Sequence, residues 1–329
     1  GVVGPVRTGK STFIKRFMNL MVLPNIEDEN DRNRANDELP QSSSGKTIMT
    51  TEPKFVPNEA VSIKTEEGIE LNVRLIDCVG YMVEGATGHM EGEEERLVKT
   101  PWFDYEIPFT KAAAIGTKKV ITEHSTIGMV VTCDGSFGEI AAKQYESAEE
   151  ETIKQLKALK KPFVVLLNTI HPYSESTKQL AAEKEEKYQT KVLPMNLEQM
   201  KKEDIYEILK SVLMEFPISS IGFYVPRWTE MLKKDHPLKM ELLQMARDVI
   251  TEKTTMKDIY DEQEKEYEYI TGQKLESVAM DSGEVIITIK VGEVYYYEFL
   301  SETTGMEIRN EYEFIKIMGE LAKKKKEYE

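Results

Sequence analysis

The sequence predicts an α/β fold with a mostly parallel sheet flanked by helices, followed by a smaller α+β domain. Three observations predict it. Short apolar runs at 71–76, 127–132, 163–167 and 192–195 each read as a buried strand. Helical spacing of apolar residues separates several of these runs, which is the alternation of a parallel sheet covered on both faces. From about residue 217 that rhythm stops, and two short β-rich stretches are mixed with helices. The expected division is therefore 1–217 and 218–329. At 329 residues the chain is long enough for two cores.

The first element is a strand remnant, Gly1-Val2-Val3, running into Gly4-Pro5-Val6-Arg7-Thr8-Gly9-Lys10-Ser11-Thr12. Residues 4–11 fit the spacing GxxxxGK[ST]. In that spacing backbone N–H groups wrap a β-phosphate and the lysine ammonium spans the β- and γ-phosphate oxygens. Gly4, Pro5, Val6, Arg7, Thr8, Gly9, Lys10, Ser11 and Thr12 are thus candidate nucleotide-binding residues, making the first domain a P-loop NTPase. Lys10 is the phosphate lysine, and Ser11 offers a hydroxyl to Mg²⁺. Residues 12–23 carry Phe13, Phe17 and Leu20 at helical spacing, which aims a helix N-terminus at the anion. Arg7 has two open readings: it neutralises charge in cis as an arginine finger does, or it points outward to a neighbour or solvent.

A polar stretch at 27–45 has no periodicity and is expected to be a mobile loop. Short extended segments follow at 54–57 and 60–63, then a turn at 66–68. The run at 71–76 ends in Asp77-Cys78-Val79-Gly80, a DxxG at the carboxyl end of a strand. There a carboxylate can hold the Mg²⁺ shell and the Gly80 N–H can meet a γ-phosphate. Residues 81–125 receive no assignment from the sequence.

The run at 127–132 leads to Asp134-Gly135. Ser147 and Glu150 have capping-box spacing ahead of Ile153, Leu156 and Leu159, so a helix is expected to begin there. After strand 163–167 comes Asn168-Thr169-Ile170-His171, where guanine-selective relatives of this fold place NKxD. The lysine and the guanine-reading aspartate are both missing, which favours ATP. Asn168 stays a nucleotide-binding candidate, and His171 reads as a loop residue before Pro172. A strand at 192–195 and a helix at 201–215 complete the domain. Beyond it the sequence suggests a strand at 218–225, a helix at 238–251, a hairpin joining 285–289 to 294–299 across Gly292, and a helix at 311–325. The tyrosines of 294–299 are expected to pack on the sheet.

Composition narrows the function classes. A formal charge of −15 argues against a nucleic-acid-binding face. Cys78 and Cys133 lack metal-ligand spacing and read as buried reduced thiols. No apolar run has the length of a membrane span, and the expected location is cytoplasmic. The remnant first strand makes the chain read as a fragment.

GPVRTGKSTFIKRFM, GKTIMTTEPKFVPNEAV, LIDCVGYMVEGA, the Asp134-Gly135 strand end and KPFVVLLN together resemble the stage IV sporulation protein A ATPases of endospore-forming bacteria, along the whole chain. The resemblance implies a translation-factor-type fold that uses ATP and Mg²⁺ and hydrolyses slowly. It implies self-assembly into a homopolymer, the basement layer of the spore coat, on the mother-cell side of the forespore surface. A small amphipathic membrane peptide and other coat proteins are the implied partners, and the family's carboxyl-terminal membrane-anchoring region is expected to lie outside this chain. Residue by residue, Lys10 and Ser11 match the phosphate-loop pair, Asp77 the second-motif aspartate, and Thr50 and Thr51 the threonines of a mobile segment. Lys10, Thr50, Thr51 and Asp77 become the catalytic candidates, and Ser11, Thr51 and Asp77 the Mg²⁺ candidates. Which threonine positions the attacking water stays open, and read without the family both suit a strand start equally well. A regulatory GTPase with an atypical base-recognition loop is the alternative function, and a structural protein with a vestigial site is a third.

Overall fold

The computed structural model describes residues 1–40, 52–64, 70–86, 88–91, 94–138, 140–260, 265–279 and 282–328. The turn expected at 66–68 lies outside the described residues.

The first sheet is built on β1 (Val2–Val3), β2 (Lys54–Lys64), β3 (Glu70–Asp77) and three later strands, and the phosphate-loop strand β1 lies inside it. Between β3 and those strands lie two small antiparallel pairs, β4 (Met90–Glu91) with β5 (Glu94–Glu95) and β6 (Leu97–Thr100) with β7 (Phe103–Pro108). The remaining strands are β8 (Gly128–Cys133), β9 (Phe163–Asn168) and β10 (Val192–Met195), giving the order β10-β9-β8-β1-β3-β2. All neighbours are parallel except β2 with β3. The fold is therefore the expected α/β architecture.

Alternation along each strand feeds two cores. Val2, Met129, Val131, Val164 and Leu166 face one side, where α1 (Lys10–Phe17) supplies Phe13, Ile14 and Phe17 and α6 (Lys202–Met214) supplies Ile205, Ile208, Leu209 and Val212. Burying each of those phenyl rings contributes roughly 2–3 kcal/mol. Val3, Val130, Val165 and Leu167 face the other side, against α4 (Ala142–Ala158) through Ile153 and Leu156 and α5 (Glu175–Tyr188) through Ala181 and Tyr188. Strands buried on both faces show as continuous apolar runs, which is why they were readable.

Several expectations need correction. The helix begins at Lys10 and stays regular only to Phe17, widening to π-type turns over Met18–Val22 and tightening over Leu23–Asn25. Within 27–45 there is a helix, α2 (Glu29–Asp37), whose N-cap Asp28 accepts from the Asn30 and Asp31 N–H groups. Capping and first-turn acids start it, and only Ala35 is buried, so no periodicity betrays it. The unassigned 81–125 holds β4 to β7 and α3 (Phe109–Lys119). Ser147 and Glu150 lie inside α4, which begins five residues before Ser147. Their capping spacing is incidental, because a mid-helix serine finds its neighbours' N–H groups already bonded. The helix α5 was not anticipated; its face buries little beyond Thr177, Ala181 and Tyr188.

The chain forms two compact units, Gly1–Phe216 and Pro217–Glu329. The second holds β11 (Ser220–Tyr224), α7 (Pro237–Glu252), α8 (Met256–Tyr260), β12 (Ile270–Ala279), β13 (Glu284–Val291), α9 (Glu293–Thr304) and α10 (Glu311–Tyr328). The expected hairpin is wrong: β13 pairs antiparallel with β12 and parallel with β11. With both edges of β13 taken, the Tyr295-Tyr296-Tyr297 run cannot fold back onto it as a hairpin partner and coils into α9, against its intrinsic β preference. Its rings pack on aromatics instead: Tyr295 on Tyr269, and Tyr296 and Phe299 on Trp228, with centroids 4.8, 5.6 and 5.5 Å apart.

Candidate functional site

The site forms where the carboxyl ends of β1, β3, β8 and β9 meet, the edge at which open α/β sheets take ligands. Val2 pairs with Asp77 and with Met129, so Gly4 and the DxxG loop leave adjacent strands together. Pro5 then bridges to Tyr81, and the Val6 N–H donates to the Tyr81 carbonyl at 2.9 Å. These contacts hold the first half of the loop against the segment after β3.

The second half closes on itself. The Thr8 hydroxyl donates to the Pro5 carbonyl at 3.0 Å, and the Lys10 ammonium crosses the loop to the same carbonyl. Gly9 stands at φ +101, where a Cβ would come within 2.6 Å of the Asn168 side-chain nitrogen; the turn requires glycine there. The Phe13 N–H donates to the Gly9 carbonyl at 2.9 Å, opening α1 directly behind the loop. Gly4, Pro5, Val6, Thr8 and Lys10 are buried, Ser11 and Thr12 are half-buried, and Arg7 is exposed at φ 60. A positive φ on a non-glycine residue is the kind of local strain found where a loop shapes itself around a ligand.

Lys10, Ser11 and Asp77 are brought together. The Ser11 hydroxyl donates to Asp77 Oδ2 at 3.0 Å, while Asp77 Oδ1 is buried without a hydrogen-bond partner. Burial pushes the Lys10 ammonium below its ordinary pKa, opposed by Cys78 and Asp77. Burial also raises the Asp77 carboxyl, opposed by Lys10, Ser11 and neighbours. Both shifts have the same origin: charges held in a poorly solvated pocket that an anion and a cation would compensate. The orphaned Oδ1 beside a hydroxyl suits Mg²⁺, which takes one or two protein oxygens and completes its shell with water and phosphate. Ser11 and Asp77 would hold it, and when bound it would neutralise charge on the phosphates. Among the described residues no cluster of three or more His, Cys, Asp or Glu forms a protein-only metal cage.

Asn168 reaches the loop from β9. Its Nδ2 donates to the Thr8 carbonyl at 3.0 Å, and its Oδ1 accepts from the Leu197 N–H at 3.2 Å. Both ends of this buried amide are spent on backbone, so it latches the phosphate loop to the segment after β10. His171 lies in the loop beyond, its N–H donating to the Thr169 hydroxyl at 3.1 Å. The Ile170 N–H donates to the Ser136 hydroxyl at 3.0 Å, joining the loops after β8 and β9. Thr50 and Thr51 lie outside the described residues.

Gly80 is placed against the phosphate loop. A Cβ on it would sit 2.2 Å from the Gly4 carbonyl oxygen and 2.6 Å from Lys10 Nζ. Its N–H donates to the Thr117 hydroxyl at 3.2 Å. Sequence reasoning missed Thr117, since it lies in the unassigned region; only the helical spacing of Phe109, Ala112, Ala113 and Gly116 hinted at the helix that carries it. Cys78 and Cys133 are free and buried, and burial raises both thiols to about 11, so neither is a nucleophile at neutral pH.

Residues 1–217 match the family model described as stage IV sporulation protein A, ATPase domain, and residues 218–329 match that family's middle domain. The chain is 45% identical to a stage IV sporulation protein A of Bacillus anthracis, with 100% of this chain and 67% of the relative covered. Proteins of the same name from Clostridioides difficile (strain 630) and Bacillus subtilis (strain 168) are 46% and 44% identical over the same shares.

Proposed function

The chain belongs to the stage IV sporulation protein A family, and from that premise we propose that its ATPase unit hydrolyses Mg²⁺-bound ATP slowly to drive self-assembly of the protein. The assembled homopolymer is read as the basement layer of the spore coat, in the mother-cell cytoplasm at the forespore surface. A small amphipathic membrane peptide and other coat proteins are its partners in this reading, which comes from the family resemblance. Among the described residues no helix is long and apolar enough to cross a membrane.

The observation that carries the ATPase part is the convergence of Lys10, Ser11 and Asp77, with one carboxylate oxygen left without a protein partner. In this reading the Lys10 ammonium and the loop N–H groups between Gly4 and Thr12 bind the phosphates, apart from Val6, whose N–H is held by the Tyr81 carbonyl, and Pro5, which has none. Ser11 and Asp77 orient the metal-bound end, the Gly80 N–H meets the γ-phosphate, and Thr50 or Thr51 positions the water. Little covalent chemistry is asked of the protein, so placing charge opposite the transferring group supplies most of the acceleration. The His171 position, lacking the guanine-reading carboxylate, favours adenine.

Sedimentation of wild type and Lys10→Ala with Mg²⁺ and ATP, a non-hydrolysable analogue, or GTP tests this reading. Wild type is expected to pellet with ATP, and Lys10→Ala to stay in the supernatant. Equal assembly of Lys10→Ala would make the site vestigial, and assembly or binding that prefers GTP would point to a regulatory GTPase.

A further inference from the structure

The Gly80 N–H has a partner already. It donates to Thr117 Oγ1 at 3.2 Å, in a place where Thr117 is wholly buried on α3. The Thr117 hydroxyl proton goes to the Ala113 carbonyl at 2.8 Å, one turn back, so the oxygen faces Gly80 as an acceptor. Gly80 stands at φ +95, and a Cβ on it would meet the Gly4 carbonyl and the Lys10 ammonium, so its α-carbon lies directly against the phosphate loop. A buried N–H cannot go without an acceptor at little cost, and it serves one strong acceptor at a time.

We propose that Thr117 is a positioning residue that sets how strongly the site distinguishes a nucleoside triphosphate from a diphosphate. It holds the Gly80 N–H on a neutral hydroxyl until a γ-phosphate oxygen takes it. This rests on the reading that Gly80 meets the γ-phosphate. The exchange favours the triphosphate because a hydrogen bond to an oxyanion is roughly twice as strong as one to a neutral acceptor. A diphosphate offers no oxygen at that place, so the Thr117 bond persists. Thr117 thereby subtracts from triphosphate affinity and leaves diphosphate affinity alone. It also ties the chemistry to α3, the helix that follows the β6–β7 pair.

The test measures Kd for ATP analogue and ADP with Mg²⁺, and kcat and KM for ATP, in wild type, Thr117→Val and Thr117→Ser. Thr117→Val is expected to bind the triphosphate about fivefold more tightly and to lower KM, with ADP affinity unchanged, since one hydrogen bond is no longer forfeited. Thr117→Ser should keep the wild-type ratio. Equal shifts for both nucleotides, an unchanged ratio in Thr117→Val, or a serine variant that behaves like valine overturns the proposal. Should Thr117→Val fail to fold, glycine-labelled wild type decides: the Gly80 amide resonance is expected to move with the triphosphate analogue and not with ADP. The same response to both nucleotides refutes it. Failure of the site reading looks different, because wild type would then bind no nucleotide or Lys10→Ala would bind as wild type does.

Discussion

Ser11 and Asp77 are hydrogen-bonded, hydroxyl to Oδ2 at 3.0 Å, across a sequence separation of 66 residues. One comes from the start of α1 and the other from the end of β3, and parallel pairing of β1 with β3 is what brings them face to face. The pair leaves Asp77 Oδ1 as the open end of the site.

Asp77→Asn is expected to lower Mg²⁺-dependent ATP hydrolysis about 10²-fold, the scale of losing one electrostatic group aimed at the reacting centre. It should also raise thermal stability. Burial lifts the folded-state pKa of Asp77 above its unfolded value, so the ionised carboxyl costs stability that appears as pH rises through that interval. The gain in melting temperature of the variant over wild type is therefore largest at neutral pH and vanishes in acid. A gain independent of pH would place its origin elsewhere.

Lys10 predicts proton uptake on nucleotide binding. Its pKa is lowered by burial in the free protein, and phosphate oxygens beside it favour the charged form. At alkaline pH a fraction of free protein has lost that proton and must regain it to bind, so ATP affinity falls as pH rises. Calorimetric titrations in two buffers of different ionisation heat measure the uptake. An alkaline-pH titration without it would show that Lys10 does not carry the phosphate charge.

Asn168→Ala should destabilise the protein by about 2–3 kcal/mol, because it strands the buried Thr8 carbonyl and Leu197 N–H. Since the amide holds the loop and its polar atoms are spent on backbone, ATP and GTP affinities are expected to fall by the same factor. Urea melts and competition binding check the two halves. A change in the ATP-to-GTP ratio would make Asn168 a reader of the base.

Arg7→Ala is expected to lower turnover while nucleotide affinity is largely kept, as removing a charge used chiefly in the transition state does. Arg7 is exposed at the crest of the loop, at φ 60. Steady-state rates and equilibrium binding on the same preparation separate the effects, and unchanged turnover removes the finger role.

Where a residue's neighbours in sequence are also its neighbours in space, the reading from sequence worked. Phosphate-loop residues 4–12 are one such stretch: two glycines, a lysine and a hydroxyl at fixed spacing determine a turn and a helix start. The doubly buried strands are another, since Val164 to Leu167 have no polar face to show. It failed where local and tertiary preferences disagree. The tyrosine run has strand propensity and became α9 because β13 had no free edge. Helix α2 was missed because caps and charge, which leave no apolar period, hold it together.

By itself, then, the sequence determined the α/β class, the loop that faces phosphate, the carboxylate at the end of β3 and the absence of a guanine-reading aspartate. The class rests on apolar runs alternating along the chain, and the other three are short-range patterns whose chemistry is complete within a dozen residues. Only the tertiary structure decided what Asn168 and Gly80 hold, and that Thr117 is the partner of the Gly80 N–H. Those roles depend on hydrogen bonds between segments separated by 37 residues for Gly80 and Thr117 and 160 for Asn168 and Thr8. Partners so distant are chosen by strand order and helix packing, which no local spacing encodes.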